Sequence, residues 1–161
     1  MKLKETDRFL LGIVVGVILL VTVAFVLAVW QPKPTYLPDD TPQGVAYDYL
    51  FALQQRDYVR AYGYLSPIST NHPSSADVFA EDIQDNLGTL RQDSISIEDT
   101  RVTDNRAVVT VCARNFTGAG LFRSEYSHNF EMRLQREQNG WKITSADEYW
   151  PRCAYSSGGC K

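Results

Sequence analysis

The chain contains few of the residues that build metal centres and catalytic sites. It has two histidines and three cysteines among 161 residues, and no C-x-x-C pair. His72 and His128 lie far along the sequence from Cys153 and Cys160, so a metal site is poorly supported. We therefore expect neither a metal nor a cofactor.

Long blocks of one charge sign and internal repeats are also missing. The formal net charge is −3, and the basic residues form no stripe. Nucleic-acid binding has no electrostatic basis in such a sequence, so we expect no nucleic-acid partner. The lack of a period of about 20 to 50 residues argues against a repeat fold.

One long apolar run is present, from Phe9 to Trp30. It contains no charged residue, and Thr22 is its only hydroxyl-bearing residue. Roughly 20 residues of helix cross a hydrocarbon core of about 30 Å. The run therefore predicts one transmembrane helix over residues 9–30.

The charges that flank the run predict its orientation. Lys2, Lys4 and Arg8 precede it, whereas Lys33 and then two aspartates follow it. The positive-inside rule places residues 1–8 in the cytoplasm and the remaining domain outside it, which predicts a single-pass protein of the cell membrane. The alternative is a cleaved signal peptide, although the apolar core of such a peptide is usually shorter, about 7 to 15 residues.

The three cysteines suit an oxidising compartment, because an extracytoplasmic domain permits disulfide bonds. Cys153 and Cys160 flank a short flexible segment in the tail, residues 151–161, and we predict a disulfide between them. Cys112 lies in an apolar strand-like segment and is predicted to be a small buried hydrophobe. In the alternative pairing, Cys112 bonds to one tail cysteine and the other stays free.

A proline-rich linker, residues 31–40, separates the apolar run from a segment with helical periodicity. Thr41 followed by Pro42 is a helix N-cap signal, and the apolar spacing continues to about Gln55. Asp57 can cap a second, short helix that ends at Ser66-Pro67.

A third helix follows, capped by Ser74 or Ser75, and it carries a narrow apolar stripe. The stripe consists of Phe79, Ile83, Leu87 and Leu90. The apolar period then changes from helical to alternating, which predicts strands.

The second half of the domain is predicted to form four strands in two hairpins. Asp104-Asn105 and Asn139-Gly140 are the turn signals, and the last strand opens at Trp141 and runs to about Tyr149. The third strand alternates over residues 124–136, with an apolar face. That face is Tyr126, His128, Phe130, Met132 and Leu134.

Three helices followed by two hairpins predict an α+β domain over residues 41–150, in which the helices pack on one face of a four-stranded antiparallel sheet. This order resembles the NTF2-like family, a cone whose curved sheet wraps around helices. The resemblance rests on the opening helix with its Asp57-Tyr58 break and on the closing hairpin that leads into Trp141.

A membrane helix ahead of such a domain is similar to the architecture of VirB8-type secretion proteins and Mce-associated membrane proteins. NTF2-like domains occur as enzymes, as small-molecule binders and as structural modules. The resemblance therefore leaves function open.

The resemblance also implies a pocket between the sheet and the helices. Its candidate lining residues are Tyr49, Tyr62, Tyr64, His128, Trp141 and Asp147. His128 could act as a general base if a carboxylate such as Asp147 approached it, because a partner and burial set its pKa. Otherwise it is a hydrogen-bonded wall residue.

Taken together, the sequence predicts a non-catalytic accessory or scaffold module of the cell envelope. Its partners would be the membrane and either an envelope protein or a second copy of the chain. A module that binds a small molecule or a lipid in the cone is the alternative. An enzyme of the isomerase or dehydratase type is the least favoured hypothesis.

Overall fold

The computed structural model describes residues 5–30, 35–69, 72–87, 90, 93–118 and 124–151. These residues form two units, one within residues 1–35 and the other within residues 36–161. The first unit contains helix α1 (Glu5–Val29). The second contains α2 (Pro42–Gln55), α3 (Tyr58–Gly63), α4 (Ala76–Asn86), β1 (Ser94–Thr103), β2 (Arg106–Thr117), β3 (Ser124–Glu137) and β4 (Gly140–Ala146).

Helix α1 has no polar face. Its window Leu10–Leu27 has a mean hydropathy of 3.1, and none of that window is buried in the structure. The Thr22 hydroxyl donates to the Ile18 carbonyl at 2.7 Å, so the only hydroxyl of the run is satisfied inside the helix. One helix near the N-terminus is therefore long and apolar enough to cross a membrane. A signal sequence near an N-terminus can pass the same test of length and composition.

Helix α2 begins at the predicted cap. The Thr41 hydroxyl accepts a hydrogen bond from the Gly44 N–H at 3.2 Å, and Pro42 occupies the first turn. The helix ends at Gln55, and Arg56 follows in the left-handed conformation with φ 62°. Most of its residues are buried, so α2 is the central helix of the domain.

Helix α3 is capped by Asp57 as predicted, but it ends at Gly63 and not at the Ser66-Pro67 pair. The chain turns there into the sheet. Leu65 forms a parallel β-bridge with Ile143, and the backbone N–H of Ile143 donates to the carbonyl of Tyr64. Pairing with the edge strand β4 thus replaces the last predicted helical turn.

Helix α4 is capped by Ser75 and ends at Asn86, before the predicted apolar stripe is complete. Leu87 and Leu90 lie beyond the helix, yet both are buried. The Gln54 side chain of α2 donates to the Leu90 carbonyl at 2.8 Å, which fixes this connection to the core.

The four strands form one antiparallel sheet in the order β1-β2-β3-β4. The hairpin turns lie where predicted, and Asp104 in the first has φ 53°. The strand register shifts between Ile97 and Asp99 and again between Arg133 and Leu134. Such bulges bend a sheet and increase its twist.

The apolar face of β3 is buried over only part of its length. Residues from Phe130 onward on this face are buried, whereas Tyr126 at the far end is 64% exposed. Strand β4 ends at Ala146, short of the predicted Tyr149. Tyr149 has φ 55°, which is incompatible with a strand.

One apolar core lies between the helices and one face of the sheet. Its large side chains include Tyr49, Leu50, Leu53, Tyr64, Phe79, Ile83, Phe130, Met132, Leu134, Trp141 and Ile143. Helices α2 and α4 and strands β2, β3 and β4 all contribute to the core, so it is shared by the whole domain.

Cys112 is buried, in agreement with the prediction of a small hydrophobe, and among the described residues its thiol has no disulfide partner. Cys153 and Cys160 lie outside the described residues, so their predicted disulfide stays a prediction.

A glycine substitution tests how closely the chain approaches α2. A Cβ at Gly44 would overlap the Pro38 carbonyl oxygen, so Gly44→Ala is expected to destabilise the domain by about 1–3 kcal/mol. Gly63→Ala is the matched control, because a Cβ there meets nothing within 4 Å, and alanine favours a helix by about 0.5–1 kcal/mol. Urea unfolding of the full chain in detergent, monitored by tryptophan fluorescence, measures the unfolding free energy of each variant. Equal stabilities of the two variants would contradict the close approach.

Candidate functional site

The residues just before α2 form a strap, residues 36–39, that lies on helices α2 and α3. The Leu37 N–H donates to Asp48 Oδ1 at 2.7 Å. The guanidinium carbon of Arg60 lies 3.4 Å from the centroid of the Tyr36 ring, a cation–π contact. One hydrogen bond to α2 and one stacking contact to α3 therefore hold the strap in place.

Asp48 is a fully buried carboxyl group within α2. Its Oδ2 also lies 3.4 Å from the Tyr64 hydroxyl, whose single proton can be donated either to Asp48 or to Asp39. Burial raises the pKa of Asp48; the hydrogen bond from Leu37 lowers it, and the hydrogen bond and charge of Asp39 raise it. In the folded chain this site therefore holds a proton more tightly than an exposed carboxyl group does.

An open cleft of about 310 Å³ lies beside the strap. Its lining residues are Asp39, Val45, Arg60, Gly63, Tyr64, Asn139, Trp141 and Lys142. The walls come from the strap, from helices α2 and α3, and from the β3–β4 turn with the start of β4. Distant parts of the sequence therefore build it together.

Two cations and one exposed carboxylate line this cleft. Arg60 Nε donates to the Tyr64 hydroxyl at 3.2 Å, a contact that raises the pKa of Arg60. Lys142 Nζ donates to the Gly63 carbonyl, at the C-terminal end of α3 where a cation is favourable. The Tyr64 hydroxyl lies 3.3 Å from Asp39 Oδ1 and can donate to it. Within the described residues, neither cation forms an ion pair.

The structure brings two of the predicted pocket residues, Tyr64 and Trp141, into this cleft. Tyr49 lies in the core instead, and its hydroxyl donates to the Tyr149 carbonyl at 2.6 Å. Burial raises the pKa of Tyr49, so this group stays protonated and serves the packing of the core.

Tyr62 faces the segment before α4 and does not line the cleft. Its hydroxyl lies 2.9 Å from His72 Nε2 and 3.1 Å from the Pro73 carbonyl. The Tyr62 ring also packs against Phe79. These contacts attach α3 to α4.

His128 has a partner other than the predicted Asp147. Its Nε2 lies 2.8 Å from Glu148 Oε2, and the two side chains are 24% and 44% exposed. Asp147 accepts from Arg133 Nη1 at 3.2 Å. The carboxylate beside His128 is therefore Glu148 and not Asp147, and none of these residues lines the described cleft.

Sequence reasoning missed Asp39, Asp48, Arg60 and Lys142. The position of Asp48 could have been recognised from the sequence, because a carboxyl group within the apolar face of a buried helix requires partners. The sequence gives a weaker indication that Arg60 contacts Tyr64, since residues four apart on a helix are neighbours. It gives no indication for Asp39 and Lys142, because only the tertiary fold brings them together.

No family model matches the chain, and no curated protein matches it. Several solved structures are similar to it. A candidate ketosteroid isomerase from Shewanella frigidimarina is 16% identical over 70% of this chain and 98% of that one, with a TM-score of 0.49. A ketosteroid isomerase-like protein from Erwinia carotovora atroseptica is 14% identical over 65% and 88%, with a TM-score of 0.45.

A third similar structure is an NTF-2 like protein of unknown function from Shewanella oneidensis. It is 13% identical over 63% of this chain and 90% of that one, with a TM-score of 0.42. The chain thus resembles NTF2-like and ketosteroid isomerase-like structures. At these scores the likeness carries no argument about activity, substrate or partner.

Asp48→Asn tests the role of the buried carboxyl group. The amide keeps an oxygen for the Leu37 N–H and can donate to Asp39 without adding a charge. We expect this variant to be at least as stable as the wild type at about pH 7. Asp48→Ala leaves the Leu37 N–H without its acceptor and should lose about 1–3 kcal/mol. Urea unfolding measures both, and an asparagine variant as unstable as the alanine variant would contradict this account.

The pH dependence follows from the direction of the pKa shift. The pKa of Asp48 lies above its usual 3.8, so the folded state binds this proton more tightly than the unfolded chain does. The resulting stabilisation is fully present below pH 3.8 and is lost as the pH rises through the raised pKa. The unfolding free energy of the wild type minus that of Asp48→Asn should therefore be larger near about pH 4 than near about pH 7. A difference independent of pH would refute the shift.

Proposed function

We propose that this chain is a single-pass membrane protein whose domain lies outside the cytoplasm and acts there as a non-catalytic accessory or scaffold module of the cell envelope. The observation that carries the proposal is helix α1, whose apolar window Leu10–Leu27 is unburied. A bilayer would remove this apolar surface from water, and the length of the helix matches the thickness of the hydrocarbon core. Lys2, Lys4 and Arg8 favour a cytoplasmic N-terminus.

The filled interior of the domain supports a structural role. Tyr49, Phe130 and Trp141 are 0%, 4% and 6% exposed and occupy the space between the helices and the sheet. In an NTF2-like cone this is the space where a ligand would lie. We propose that the domain has this cone arrangement and uses it as a packed module.

The setting we propose is an envelope complex. A membrane helix ahead of such a domain is the order found in VirB8-type and Mce-associated proteins, which supports this setting. The Cys153–Cys160 disulfide fits an oxidising compartment and forms part of the same proposal.

Cysteine labelling in intact cells tests the orientation. Val59 is 72% exposed, so Val59→Cys should react with a membrane-impermeant maleimide without lysis. Thr6→Cys, on the proposed cytoplasmic side, should react only after lysis. The wild-type chain gives the background from its own cysteines. Labelling of Val59→Cys only after lysis would refute the proposed orientation.

The same cells distinguish an anchor from a cleaved signal peptide. A tag at the N-terminus should remain on the chain in the membrane fraction. Its loss, together with a shorter chain released by osmotic shock, would identify a signal peptide instead.

Photo-crosslinking tests the scaffold role. Val59 and Ile68 are apolar and 72% and 69% exposed, so photoreactive residues placed there sample the domain surface. In membranes we expect a discrete covalent adduct, either with one envelope protein or with a second copy of the chain. Monomer alone, despite photoreactive residues across the exposed surface, would argue against a scaffold.

A further inference from the structure

We propose that the cleft beside the strap binds a phosphate group between Arg60 and Lys142. This goes beyond the proposed scaffold role, which needs no ligand. The cleft has hydrogen-bond donors that remain available, it holds them in fixed orientations, and the charges around them favour an anion.

Arg60 is held in a fixed orientation. Its Nε donates to the Tyr64 hydroxyl at 3.2 Å, and its guanidinium carbon lies 3.4 Å from the Tyr36 ring centroid. Its two terminal nitrogens have no acceptor among the described residues. A guanidinium group stacked on one face and tied at Nε presents its outer edge as a rigid pair of donors, which suits carboxylate and phosphate oxygens.

Lys142 supplies a second donor on the same cleft. Its ammonium group has three protons, and one is donated to the Gly63 carbonyl. Asn139 adds an amide at the β3–β4 turn, and Trp141 forms an apolar wall. With a volume of about 310 Å³, the cleft lies at the lower end of the roughly 300–1,000 Å³ typical of ligand pockets, which suits a small anionic group.

Asp39 opposes the binding of an anion and thereby makes the proposal testable. Its exposed carboxylate lines the same cleft and lies 3.3 Å from the Tyr64 hydroxyl. Removing this charge should strengthen anion binding, whereas it would weaken the binding of a cation. A ligand of positive charge would in turn be repelled by both Arg60 and Lys142.

The test uses the full chain in a neutral detergent and isothermal titration calorimetry. Glycerol 3-phosphate is the soluble probe. Short-chain phosphatidylglycerol is the lipid probe, with short-chain phosphatidylcholine as its comparison. We expect glycerol 3-phosphate, phosphatidylglycerol or both to bind, more weakly at higher salt. Binding of only one of the two identifies the source of the phosphate, and binding of neither overturns the proposal.

The variants connect the binding to this cleft. Arg60→Gln and Lys142→Gln should each weaken binding about tenfold or more, as expected for the loss of a charge-assisted hydrogen bond. Arg56→Gln is the matched control, because Arg56 is an exposed cation next to α3 that does not line the cleft. It should bind like the wild type.

Asp39→Asn should bind severalfold more tightly than the wild type, because the amide keeps an acceptor for Tyr64 and removes the repelling charge. Equal losses for Arg56→Gln and Arg60→Gln, or weaker binding by Asp39→Asn, would overturn the site. If the tryptophan emission shows that Arg60→Gln is unfolded, the affinities of Lys142→Gln and Asp39→Asn still test the site. The labelling experiments on membrane orientation are independent, so either proposal can fail without the other.

Discussion

The site depends on the hydrogen bonds of one buried group, the carboxyl group of Asp48. A carboxyl group without partners in an apolar interior is strongly unfavourable. Asp48 therefore requires partners: the Leu37 N–H of the strap donates to it, and the Tyr64 hydroxyl at the end of α3 lies 3.4 Å from its Oδ2. Satisfying this one group fixes the strap and the end of α3 at the same place on α2.

The position of the strap then determines the cleft. With Leu37 held on α2, the Tyr36 ring packs edge-on against Phe51, with centroids 4.9 Å apart, and stacks under the Arg60 guanidinium. The strap backbone also passes so close to Gly44 that a larger residue there would collide with it. Without the strap, Arg60 would lose its stacking partner and the cleft would lose one wall.

The parts of the fold that depend on local chemistry could be predicted from the sequence. The caps at Thr41, Asp57 and Ser75 satisfy orphan N–H groups of the first helical turn, and the two hairpin turns follow from the residues that tolerate them. The boundaries that failed depend on distant partners. Helix α3 stops early because Leu65 pairs with β4, and β4 stops early where Tyr149 turns away.

The candidate site could be predicted only in part for the same reason. Tyr64 and Trp141 were recognisable as large aromatic residues, and both line the cleft. The charged residues of the cleft, Asp39, Arg60 and Lys142, come from three separate parts of the sequence. No periodicity or spacing indicates that they line one cleft, so only the folded chain shows them together.

The core and the cleft differ in how their polar groups are satisfied, and this difference argues for a site at the edge of the domain. In the core, the Tyr49 hydroxyl donates to the Tyr149 carbonyl, and the Gln54 amide donates to the carbonyls of Leu90 and Asp93. These groups bond within the chain, so a substrate entering the core would have to break those bonds and displace packed side chains. At the cleft, the outer edge of Arg60 is already oriented and in contact with solvent. A ligand would need no rearrangement there, so recognition at the cleft is compatible with a rigid, fully packed domain.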